Sequence, residues 1–148
     1  NGAALMAVQT LRNMGMNVDG QTMDWSSVSA RRSKRDLPEA GGWNVYVTVA
    51  GGFDADSPIT NAFLGAACGN SLPGWPCDEK LDELRTAWLR ETDVAKRKGR
   101  LDAFQARAYE AVPYIALGQY SPAMSARTSL KGTDKLWNGM PNVWALDK

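Results

Sequence analysis

Gly41-Gly42-Trp43-Asn44-Val45-Tyr46-Val47-Thr48-Val49-Ala50-Gly51-Gly52-Phe53-Asp54-Ala55-Asp56-Ser57-Pro58 is the stretch on which the reading of the fold turns. Residues 43–49 are β-branched and aromatic, the strongest strand signal in the chain. The glycine pair at 41 and 42 turns the chain into that run. Residues 50–57 form a Gly/Asp-rich loop, and Ser57-Pro58 reads as an N-cap followed by proline at the first helical position. A short helix to about Leu64 is expected there.

Working outward, residues 2–14 place Ala4, Val8 and Leu11 on one stripe beside Leu5, an amphipathic helix with Asn1 as cap and Gly15 as stop. Residues 16–24 read as a strand weakened by Gly20, and Asp24 to Asp36 as a helix ended by Leu37-Pro38. Residues 65–77 make a long Gly/Pro/Asn-rich loop. Helices follow from Asp78 to Glu91 (Leu81, Leu84, Trp88) and from Thr92-Asp93 onward (Leu101, Phe104, Ala108, Val112), with Pro113 as breaker. Residues 114–120 look strand-like, and 122–127 extend that piece. Lys131-Gly132 and Asn138-Gly139 are turn signals in a tail with little periodicity.

Helices alternating with strands in this order imply an α/β fold with a mostly parallel central sheet flanked by helices. In such sheets ligands gather outside the carboxyl ends of the strands, which singles out the loop after residue 49.

The 148 residues are one domain's worth of chain. Seventeen Lys and Arg against sixteen Asp and Glu give a net charge of +1, which argues against a nucleic-acid surface. With no histidine, Ser-His-Asp and Cys-His catalysis and imidazole metal sites are excluded within this chain. No apolar run approaches the ~20 residues of a membrane span. No leader pattern precedes the first helix and the first residue is Asn1, so the chain is expected to be a piece of something longer.

Several local constellations invite a chemical reading. In the 51–58 loop, Asp54 and Asp56 lie beside a flexible Gly pair and ahead of an expected helix start, where the helix dipole favours an ionised carboxylate by roughly 0.3–1 kcal/mol. On pattern alone a solvated turn is the preferred reading. A calcium loop does not fit, because Ile59 stands where Gly is needed and Gly65 where Glu is needed. Cys68 and Cys77, in one irregular loop, are expected to form a disulfide and so to point to an oxidising compartment. Arg31, Arg32, Lys34 and Arg35 read as a solvated helix face. Trp88 reads as core. Trp75, framed as Pro73-Gly74-Trp75-Pro76, is a candidate cleft residue, and Trp25 lies at the edge of an element.

Residues 11–25 (LRNMGMNVDGQTMDW), 42–61 (GWNVYVTVAGGFDADSPITN), 74–78 (GWPCD) and 103–120 (AFQARAYEAVPYIALGQY) together resemble the C-terminal portion of an extracytoplasmic solute-binding protein of the dipeptide/oligopeptide/nickel type (family 5), which serves ABC importers. The order and spacing of the four stretches carry the resemblance, not any single motif. It implies a type II periplasmic-binding-protein fold, with residues 1–117 as most of the second lobe and 118–148 crossing back towards a first lobe of the same protein. It implies a periplasmic or extracytoplasmic location, a small-molecule or short-peptide ligand, and a membrane permease as partner. Nucleic acid, cofactor, metal and catalytic residues are not expected. In peptide-binding members an Asp four residues before the Pro of this loop pairs with the ligand's α-ammonium group. Asp54 matches that position, which reverses the solvated-turn reading. Phe53, Gly52, Trp75 and Trp25 are then the other expected ligand-binding residues. One departure is that the aromatic residue often found just after the strand is replaced by Val49-Ala50-Gly51-Gly52.

The function this implies is capture of a small cationic or peptide-like solute between two lobes, for delivery to a permease. A receptor of the same scaffold for a nickel chelate, opine, sugar or haem is one alternative. A small enzyme is another, but it would have to work without histidine or a G-x-S-x-G turn.

Overall fold

A computed structural model of the chain describes residues 2–121, 125–133, 136–137 and 140–147. The expected cap Asn1, the Asn138-Gly139 turn and part of the 122–127 extension lie outside the described residues. The chain divides into two units, Asn1–Val49 with Leu72–Trp75, and Ala50–Ser71 with Pro76–Lys148.

In the first unit α1 spans Gly2–Asn13. The Gly15 N–H donates to Arg12 O (2.9 Å) and the Met16 N–H to Leu11 O (3.1 Å), the paired bonds of a Schellman stop. Gly15 sits at φ 87°, where a side chain would be strained. Helix α2 spans Trp25–Arg32 and is shorter than the sequence suggests. Its cap is Asp24, whose carboxylate accepts from the Ser26 N–H (2.9 Å), the Ser27 N–H (3.1 Å) and both serine hydroxyls. These bonds, led by the two hydroxyls, hold the Asp24 carboxyl far below the usual carboxylate range. After the 3-10 turn Pro38–Ala40, Gly42 is buried and its carbonyl accepts from Arg31 Nε (3.1 Å) and Nη2 (2.8 Å). The Trp43 indole N–H donates to Arg32 O at 3.0 Å, so α2 and the 42–43 segment are joined by three side-chain bonds.

The second unit is built on a helical hairpin. Helix α3 spans Glu79–Arg90 and α4 spans Val94–Ala111, capped by Asp78 through the Leu81 N–H (2.8 Å) and by Asp93 through the Lys96 N–H (3.0 Å). Leu81 and Phe104 meet with Ala66 at the centre, and Leu64, Leu84, Leu101, Ala108 and Ala111 pack around them. Leu81, Leu84, Leu101, Phe104 and Ala108 of the expected stripes are therefore in the core, while Val112, at the end of α4, is exposed. Trp88 is only half-buried, with the Arg97 guanidinium 4.0 Å from its ring centroid. Cys68 and Cys77 form the expected disulfide, and just beyond it the Asp78 N–H donates to Ala66 O at 3.0 Å. The staple thus brings the start of α3 onto the core residue Ala66.

The expected mostly parallel central sheet is not formed. Among the described residues the one sheet is an antiparallel pair, β1 (Leu136–Trp137) with β2 (Met140–Pro141). Segments 16–24, 43–49 and 114–120 adopt no strand, and the α/β assignment is corrected to a helical one. The reason is that β-propensity measures how well a side chain suits a half-buried pleated surface, while a strand exists only if its N–H and C=O groups find a ladder. In residues 43–49 no ladder bond forms among the described residues, and Val45 and Val49 stay 67% and 68% exposed.

Candidate functional site

The acidic turn lies in the second unit. Gly51 O accepts from the Asp54 N–H (3.0 Å), Gly52 O from the Ala55 N–H (3.2 Å) and Phe53 O from the Asp56 N–H (3.3 Å), which closes a 3-10 turn over Phe53–Ala55. Gly52, Phe53, Asp54 and Asp56 are exposed, with Phe53 at 66%. Among the described residues no cation lies within ion-pair distance of the Asp54 carboxylate.

The helix expected from Ser57-Pro58 to Leu64 is replaced by two smaller pieces. The Ser57 and Thr60 side chains bond each other (3.0 Å), the Asn61 N–H donates to Ser57 O (2.9 Å), and Asn61 then caps a separate 3-10 turn, Ala62–Leu64, by accepting from the Phe63 N–H (3.2 Å). Hydroxyls at 57 and 60 satisfy groups locally and so compete with helix propagation. With no helix starting at Ser57, Asp54 gains nothing from a helix dipole, and with no strand over 43–49 the turn does not stand at the carboxyl end of a parallel sheet.

What anchors the turn was not singled out in the sequence. Arg85, from α3, donates through Nε to Pro58 O (2.8 Å) and through Nη2 to Ile59 O (3.1 Å). Asn61, only 3% exposed, donates through Nδ2 to the Tyr114 hydroxyl (3.3 Å), and the Phe63 and Tyr114 rings lie 5.6 Å apart. The sequence does carry a signal for Arg85. It stands four residues after Leu81, so a cation falls on the stripe that α3 buries.

The two tryptophans belong to the first unit. Trp25 opens α2, is 58% exposed, and has the Arg32 guanidinium 5.2 Å from its ring centroid. Trp75 is half-buried, with Arg35 at 4.5 Å and the Trp43 ring at 6.0 Å. Its N–H donates to Leu72 O (2.8 Å) and its φ of 46° is a left-handed conformation that a bulky side chain adopts only under constraint. The structure therefore groups Gly52, Phe53 and Asp54 in one unit and Trp25 and Trp75 in the other.

An open groove of about 360 Å³ lies between α3 and the start of α4, lined by Glu83, Thr86, Ala87, Arg90, Glu91 and Arg100, and does not include the acidic turn. Among the described residues no three acidic or cysteine side chains converge as a metal site would require, and no helix is long and apolar enough to cross a membrane.

No protein-family model matches the chain. The chain is 26% identical, over all of its 148 residues, to the probable peptide ABC transporter periplasmic-binding protein y4tO of Sinorhizobium fredii, and spans 28% of that protein's length. That relative is a binding protein. The family resemblance drawn from the sequence is borne out: from its first residue to its last, the chain is similar to a periplasmic binding protein of a peptide ABC transporter.

Proposed function

We propose that the chain takes part in substrate binding for an ABC importer, at an extracytoplasmic location, and that Asp54 receives the ammonium group of a small cationic or peptide-like solute held between two lobes. The observation that supports this most is an exposed carboxylate with no cation within ion-pair distance among the described residues, on an ordered turn, in a chain similar throughout its length to a probable peptide ABC transporter periplasmic-binding protein. A carboxylate presented this way binds an ammonium group weakly in water and strongly once water is excluded, because the pair then interacts in a lower dielectric. Phe53, with its ring exposed beside Asp54, supplies an apolar wall. A membrane permease is proposed as the partner that receives the solute.

The test is titration of the chain with dialanine and with N-acetyl-dialanine, followed by amide chemical shifts. Dialanine is expected to shift the amides of residues 52–56 with a dissociation constant well above micromolar. N-acetyl-dialanine and the Asp54→Asn variant are expected to show about tenfold weaker binding or none. Equal binding of both peptides, or an unchanged affinity in Asp54→Asn, overturns the role of Asp54. Sub-micromolar binding by this chain alone, about −8 kcal/mol, overturns the two-lobed capture.

A further inference from the structure

The turn that carries Asp54 has no regular element of its own to hold it in place. Its bonds over residues 51–56 are internal, each carbonyl accepting from an N–H three residues on. What fixes its position on the second unit is the segment just after it, residues 57–61. There Arg85 acts on the backbone, as Arg31 does in the first unit. Among the described residues its guanidinium makes no ion pair, and it donates to two consecutive backbone carbonyls, Pro58 O at 2.8 Å and Ile59 O at 3.1 Å. Pro58 is buried and the Nε bond to its carbonyl is partly so, while the Nη2 bond to Ile59 O lies at the exposed surface. A planar guanidinium presents two N–H groups in a fixed fork and can serve both carbonyls at once, whereas a lysine ammonium would serve as a single point. The far end of the same segment is tied by buried Asn61 to Tyr114, three residues past the end of α4. Residues 58–61 are thus fastened to α3 at one end and to the chain leaving α4 at the other.

We infer that Arg85 is a positioning residue for Asp54: its fork on the carbonyls of residues 58 and 59 seats the acidic turn on the α3–α4 hairpin and so fixes where the carboxylate stands. Asn61 and Tyr114 complete the seat. This rests on the reading of Asp54 as the ammonium-binding group, and it adds that capture at Asp54 is sensitive to a side chain that never touches the solute.

Two measurements on the full chain test it. In the first, hydrogen exchange is followed in the unmodified chain, Arg85→Lys, Arg85→Gln and Tyr114→Phe. The amides of Asp54, Ala55 and Asn61, bonded to the carbonyls of 51, 52 and 57, are expected to exchange about tenfold faster in both Arg85 variants, while amides in the middle of α4 stay within about twofold. Tyr114→Phe keeps the ring beside Phe63 and removes only the hydroxyl, so a smaller change in the same direction is expected. Unchanged exchange in the turn, or an equal acceleration throughout α3 and α4, overturns the inference. Arg85→Lys keeps the charge and most of the side-chain length, so the inference stays testable if Arg85→Gln does not fold.

In the second measurement, dialanine is titrated into Arg85→Lys, Asp54→Asn and the double variant. A positioning role predicts that Arg85→Lys weakens dialanine binding, leaves N-acetyl-dialanine binding unchanged, and adds nothing once Asp54 is already Asn. Additive losses overturn it. If Asp54→Asn binds as well as the unmodified chain, the reading of Asp54 fails and its positioning for capture fails with it, while the exchange data still decide whether Arg85 seats the turn.

Discussion

Asp78 and Arg107 are joined by a forked ion pair, with Nη2 2.6 Å from Oδ2 and Nε 3.2 Å from Oδ1, and the same Oδ1 accepts the Leu81 N–H at 2.8 Å to cap α3. One carboxylate therefore starts a helix and fastens the next one to it. Arg107 reaches on to Glu110 at 2.9 Å, and at the opposite end of the hairpin Arg100 pairs with Glu91 at 2.8 Å. The disulfide closes immediately before Asp78, so covalent, capping and ionic restraints meet within two residues.

These pairs make stability depend on pH with a definite sign. Arg107 and then the Leu81 N–H hold the Asp78 carboxyl below its ordinary value, and Arg100 and then the Asp93 N–H do the same for Glu91. Both groups bind protons more weakly folded than unfolded. Their contribution is complete above the ordinary carboxylate range, about pH 4, and is lost as pH falls through the lower folded values. Urea midpoints are expected to fall between about pH 6 and about pH 3, and less so in an Asp78→Asn/Glu91→Gln double variant. An identical slope in that variant excludes these two groups as its source.

Reduction of Cys68–Cys77 is expected to destabilise the second unit by about 2.5–3 kcal/mol, the entropy of closing so short a loop in the unfolded chain. The check is the urea midpoint followed by helix ellipticity with and without a thiol reductant, against Cys68→Ser/Cys77→Ser. If reductant shifts the midpoint of the double variant as well, the effect does not come from this bond.

Phe104→Ala is expected to remove about 3–5 kcal/mol, the usual consequence of emptying a fully buried aromatic site. Phe104 is 1% exposed at the centre of the α3–α4 core, with Leu81 and Ala66 as the other fully enclosed members of that cluster. Loss of helix ellipticity at room temperature would agree with this. A midpoint unchanged within error would contradict the assignment of Phe104 to the core.

How much of this was legible in the sequence follows from what each signal measures. Helices α1 to α4 announce themselves because apolar stripes, the caps Asp24, Asp78 and Asp93 and the stop at Gly15 are all local features. Strands are not local. The run from Trp43 to Val49 has the right residues, but a strand requires a partner whose position no propensity records. The acidic turn was legible as a turn, from Gly51-Gly52 and the two Asp residues, and its exposure agrees. Its anchoring was legible only in part: Arg85 falls on the stripe that α3 buries, but the backbone carbonyls it reaches, 26 and 27 residues away, leave no trace in residue type. Trp75 was legible as constrained, through its Pro-Gly-Trp-Pro frame, but not as a partner of Arg35 and Trp43.

At Gly42 close approach, not backbone angle, demands glycine. A Cβ added there would lie 1.8 Å from the Asp36 carbonyl oxygen and 3.0 Å from that of Leu37, both of them backbone atoms that cannot swing aside. The Gly42 N–H donates to Leu37 O at 2.9 Å, and its carbonyl receives both Arg31 bonds, so the backbone is held from two sides. Gly42→Ala must therefore push residues 36–37 and 42 apart and strain these bonds. A loss of about 1–3 kcal/mol is expected, as for other overpacked sites. The readout is local: the Trp43 indole N–H, bonded to Arg32 O, should show a changed chemical shift and faster exchange, while α4 amides in the second unit stay as they were. An unshifted Trp43 indole in Gly42→Ala would mean that residues 36–42 do not pack as closely as these distances require.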